Sequence, residues 1–116
     1  MRPPLIILFA LLLSACGPTI HPTFDSPEPA ARNAAIVKAA DTKDASAVPD
    51  LVRMLDSDDP ATRLLAINAL ERITGDRLGF EYAAPEHVRL PAVARWHERV
   101  TGEVPKQPWP RKATNE

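Results

Sequence analysis

The sequence predicts an all-α fold, a short stack of paired helices closed by an aromatic segment, and three observations carry that prediction. Residues 56–74 read as one helix with both ends marked. A stretch thirty-one residues earlier repeats the same pattern. Aromatic residues make up only 5% of the chain and alanine and leucine crowd its middle, which leaves little from which to build a sheet.

At 116 residues the chain holds at most one modest domain. Its formal net charge is −1; residues 1–15 carry one arginine and no acid, so the remainder stands at about −2. Basic residues such as Arg53, Arg72, Arg77 and Arg89 are scattered singly, which argues against a nucleic-acid partner. Thirteen prolines against four glycines indicate stiff connections. A single cysteine, Cys16, excludes a disulfide within the chain.

Taken in order, the chain opens on Met1-Arg2 and an apolar run from Leu5 to Leu13. Nine residues are too few to cross a bilayer, which takes about 20, but they suit the middle of a secretory signal. Leu13-Ser14-Ala15-Cys16-Gly17 then resembles the lipobox of bacterial lipoproteins. The resemblance implies a signal peptide over 1–15, diacylglycerol on the Cys16 thiol and an acylated amino group, with no other cofactor. Each buried CH₂ of such chains contributes roughly 0.8 kcal/mol, so two or three chains anchor a protein stably to a membrane. Gly17, where an aspartate would retain a lipoprotein in the inner membrane, favours the outer one. Residues 16–27 carry Pro18, Pro22 and Pro27 and read as an extended tether, at about 3.1 Å per residue, that lifts the folded part off the lipid.

The helical domain is expected over 28–102. Its first helix has a thin face of Ala31, Ala34, Ala35 and Ala39. A tight turn at 41–44 leads to a second helix, whose Val48, Leu51, Val52 and Leu55 form one apolar stripe. Pro49 is tolerable there only within the first turn. The third helix starts with Asp59 as cap and Pro60 at its first position, and Gly75 supplies the left-handed stop. Thr62, Leu65, Ala66, Ala69, Leu70 and Ile73 share its face. Shifted by thirty-one residues, Ser26, Pro29, Arg32, Ala35 and Ile36 fall on Ser57, Pro60, Arg63, Ala66 and Ile67, all identical. Such a period points to stacked helical pairs.

Residues 47–70, Ala-Val-Pro-Asp-Leu-Val-Arg-Met-Leu-Asp-Ser-Asp-Asp-Pro-Ala-Thr-Arg-Leu-Leu-Ala-Ile-Asn-Ala-Leu, resemble the short HEAT repeats of bacteria. The likeness extends over about 28–74 and amounts to one and a half repeats, fewer than the three that such arrays usually need. It implies a right-handed stack of antiparallel helix pairs, an α-solenoid fragment, that binds other proteins. It also implies that Arg63, and Arg32 before it, brace a turn through an acidic partner, Asp50 or Asp58. The partner surface would be the groove of the second helices, around Asp50, Arg53 and Met54.

From Gly75 the pattern changes to a loop bearing Phe80 and Tyr82, then a stretch in which Val93, Trp96 and Val100 share a helical face. Pro91 should either start that helix or kink it, leaving 86–90 as a separate turn. The segment resembles the close of some bacterial HEAT proteins, and Phe80, Tyr82 and Trp96 are its capping aromatics, set to cover Leu64 and Ile67. Residues 103–116, with Pro-Trp-Pro around Trp109, read as a disordered tail.

No constellation carries chemistry. His21, His87 and His97 lack a second ligand at metal-binding spacing. His97-Glu98 resembles one of the paired ligands of a HEAT-repeat di-iron hydroxylase, but that family needs several such pairs. No small-molecule substrate is evident. The expected function is a membrane-tethered, non-catalytic adaptor for a protein partner at the cell envelope. The alternative is a structural subunit whose alanine-rich first helix docks edge-on against another repeat or a second copy.

Overall fold

The computed structural model describes residues 17–103, and among these the secondary structure is helical throughout. Helix α1 spans Pro29–Thr42, a 3₁₀ turn Ala45–Ala47 leads into α2 at Val48–Met54, α3 spans Pro60–Thr74, and α4 spans Glu86–Thr101. The signal peptide, Cys16 and the tail with Trp109 lie outside the described residues.

Local chemistry sets each boundary. Asp59 accepts from the Ala61 N–H at 3.0 Å, Pro60 opens α3, and Gly75 ends it at φ +80°. Pro49 sits in the first turn of α2. Helix α1 stops at Lys43, whose φ of +49° places a bulky residue in the left-handed region while the Asp44 N–H returns to the Ala39 carbonyl at 3.0 Å. Lys43→Gly should therefore raise stability by about 1 kcal/mol, read as a higher melting temperature.

Helices α1 and α3 lie side by side as one layer, with α2 packed on α3 and α4 against α2 as the other. The core joins Ile36 and Ala39, Leu51, Val52 and Leu55, Ala66, Ile67 and Leu70, and Val93 and Trp96 from the four helices, with Phe80 from the loop. The thin face of α1 is supplemented by Ile36, which is almost fully buried, whereas Ala34 is half-exposed.

Two expectations are corrected. First, Pro91 neither starts α4 nor leaves 86–90 as a separate turn, because the helix runs through it. Pro91 is exposed, so water can serve the His87 carbonyl that lost its N–H partner. The closing helix forms no antiparallel pair with α3. Arg99 reaches Asp76 at 3.0 Å, and the Trp96 Nε1–H donates to the Arg77 carbonyl at 3.0 Å, both just beyond the end of α3. At the other end, Arg63 of the first α3 turn donates to the Tyr82 carbonyl at 3.0 Å, shortly before α4 begins. Residues 75–85 thus return along α3, and α4 runs in the same direction as α3. Leu78 at φ +48° and Gly79 at φ +74° turn the loop. Second, residues 23–27, expected as part of an extended segment, are docked on the helices. The Thr23 N–H donates to the Ala31 carbonyl at 3.2 Å, and Phe24 packs half-buried against the core. In the thirty-one-residue register Phe24 corresponds to Leu55, the buried residue that closes α2. Residues 23–28 thus stand where the last turn of a preceding second helix would be.

Candidate protein-interaction site

The arginine brace is built twice. Arg63 Nη1 donates to the carbonyls of Ser57 and Asp58 at 2.7 and 3.1 Å. Thirty-one residues earlier, Arg32 Nη1 donates to the carbonyls of Ser26 and Pro27, both at 2.8 Å. In each turn the serine hydroxyl accepts a backbone N–H two residues on, Glu28 at 3.1 Å and Asp59 at 3.2 Å. In both turns the guanidinium grips backbone carbonyls; of the acidic partners implied by the resemblance, Asp50 pairs instead with Arg53, while Asp58 acts on the Arg63 charge. A turn that leaves two carbonyls pointing inward needs two donors, which the two N–H groups of one guanidinium nitrogen supply in a fixed plane. Arg63 is buried, and burial, followed by the nearby Arg89, lowers its pKa, while Asp59, Asp58 and Asp56 oppose that shift.

Thr62, with no exposed surface, links the two units. Its hydroxyl lies 2.8 Å from Asn33 Oδ1 and 2.9 Å from Asp59 Oδ2, with one proton to share between them. The Ala61 N–H and then the Thr62 hydroxyl hold the Asp59 carboxyl below its ordinary range; the Leu78 N–H, and then Arg99, do the same for Asp76. A carboxylate with a depressed native pKa adds stability that is complete above its unfolded value of about 3.9 and is lost as pH falls through the native one. Melting temperature should therefore drop as pH falls below about 4, and Asp59→Ala should make that drop shallower.

On the outer face of α2, Arg53 joins Asp50 in an ion pair and reaches Asp25 at 3.3 Å, so the expected partner residues are tied to the docked segment. Asp50 first and then Asp25 raise the Arg53 pKa. Met54 is half-buried, and with Arg32, Arg53 and the acidic turn 56–59 it lines an open cleft of about 420 Å³. A second surface was not singled out in the sequence. Between α1 and α3, Ile36, Val37, Ala40, Leu65 and Ala69 line a smaller apolar groove of about 190 Å³, closed at one end by the Arg72–Asp41 ion pair at 3.2 Å. Val37 is 44% exposed there, beside the buried Ile36.

The capping aromatics sit inward. Phe80 and Trp96 are buried and Tyr82 is half-buried, while Arg99 lies over the Trp96 ring at 5.4 Å. The Arg95 Nε–H donates to the Leu78 carbonyl at 2.9 Å, so donors on α4 hold the returning loop along its length. Among the described residues no group of three or more His, Cys, Asp or Glu is placed to hold a metal, and no helix is long and apolar enough to cross a membrane. Glu98 of the His97-Glu98 pair is exposed on α4.

Comparison with known proteins gives one family. HEAT repeats match residues 18–84, more than half of the chain, from the docked amino-terminal segment through α3 and most of the loop. The match ends before α4, the helix whose direction departs from the repeat. No curated protein and no solved structure matches the chain. With its doubled arginine brace, its thirty-one-residue register and its α1–α3 layer, the chain belongs to the HEAT repeats, a family of protein-interaction modules.

Proposed function

We propose that this protein is a lipid-anchored, non-catalytic HEAT-repeat adaptor that holds a protein partner at the cell envelope, on the outer membrane. The observation that supports adaptor over array subunit is that the chain covers both of its own stacking edges. Phe24 and its neighbours lie over the outer side of α1 and α2, and the 75–85 loop lies over the side of α3 opposite α1. A subunit of a longer stack would leave at least one of these edges bare. The partner would meet the outer face of α2 at Arg53 and Met54. Size measurement on dilution tests the choice: the adaptor runs as a monomer, whereas an assembly that survives dilution would establish the subunit reading.

The anchor rests on Leu13-Ser14-Ala15-Cys16 and the apolar run before it. Cys16→Ser should leave the protein unprocessed or soluble and devoid of incorporated palmitate. Unchanged membrane fractionation of that variant would refute the anchor.

A further inference from the structure

The first docked residue is Thr23, held by Ala31, with Phe24 against the core and Arg32 gripping the carbonyls of Ser26 and Pro27. Seven residue steps separate Thr23 from Cys16, and Pro18 and Pro22 stiffen them. At about 3.1 Å per residue for proline-rich chain the leash measures ~22 Å. Even fully extended it reaches only ~25 Å, about the width of two or three packed helices. We infer that the helical body rides against the lipid surface with the docked-segment edge of α1 toward the membrane and the 75–85 loop edge away from it. This rests on the lipid anchor proposed above and adds an orientation to it. A tether of the full 16–27 span would have let the body rotate freely; docking of residues 23–27 removes nearly half of that span.

The geometry has a reason to persist. Phe24, Asp25 and Pro22 line one cleft with Lys38 and Thr42 of α1, so the chain leaves the body beside exposed Lys38. Glu81, also exposed, sits in the loop on the other side of α3, about two helix spacings farther from that point. A partner reached through this adaptor must itself expose its binding face at membrane level.

Because Cys16 is the only cysteine and its thiol carries the lipid, an added cysteine is a unique labelling site. The full-length lipidated protein, as Lys38→Cys or Glu81→Cys, would carry a fluorophore in vesicles whose headgroups bear a quencher. Quenching should be several-fold stronger at position 38 than at 81. Inserting about twelve Gly-Ser residues between Thr19 and Ile20 adds roughly 18 Å of reach and should bring the two sites close to equality. Equal quenching without the insertion, or a difference that the insertion leaves intact, overturns the orientation. A purified protein whose intact mass lacks the lipid overturns the anchor instead, a result told apart by mass alone.

Discussion

Trp96→Ala is expected to lower folding stability by about 4 kcal/mol, the upper range for truncating a buried aromatic side chain. Trp96 has no exposed surface and fills the space among α2, α3 and α4, so its loss opens a cavity in the middle of a small core. The variant also strands the Arg77 carbonyl, which accepts from the indole N–H at 3.0 Å, and removes the ring beneath Arg99. A helical body of this size has on the order of 5–10 kcal/mol in total, and 1 kcal/mol moves its midpoint by about 4–8 °C. The melting temperature should fall by about 20 °C, and Trp96→Phe, which keeps much of the area but not the hydrogen bond, should fall by about half as much. A Trp96→Ala midpoint within a few degrees of the parent would place the indole outside the core.

Arg63→Lys should cost about 2 kcal/mol although it keeps the charge. The guanidinium serves three carbonyls in two separate turns, at Ser57, Asp58 and Tyr82. A lysine ammonium is a single point that cannot meet all three, and each buried carbonyl left without a donor is destabilising. Arg32→Lys is the internal control. Arg32 serves two carbonyls and is only half-buried, so its replacement should cost about 1 kcal/mol or less. Chemical denaturation of the two variants reads the difference directly; equal losses would mean that the Tyr82 contact contributes nothing.

The contrast between these arginines separates what was legible in the chain from what was not. Arg32 and Arg63 occupy one position of a repeat, and identical neighbours announced the shared brace. The carbonyls that they grip could not be read, since a backbone acceptor leaves no mark in a sequence. The resemblance implied the carboxylates of Asp50 and Asp58, which a sequence does display. Arg53 shows the same limit: its bond to Asp25 spans twenty-eight positions and depends on a segment that proline content alone marks as extended.

The chain's local patterns suffice to place the starts of α1 and α3, the stop of α3 at Gly75, the inward residues of α2 and the register relating the two units. Caps, prolines and periodicity act within a turn or two, so they are complete in the chain. The direction of α4, the covering of both stacking edges and the docking of residues 23–27 come from the tertiary fold alone. Each of these rests on contacts between distant residues, Trp96 with Arg77, Arg63 with Tyr82 and Phe24 with the core. A loop or a proline-rich segment folds back when buried area and satisfied carbonyls outweigh the entropy of holding it, a balance that nearest-neighbour patterns do not contain.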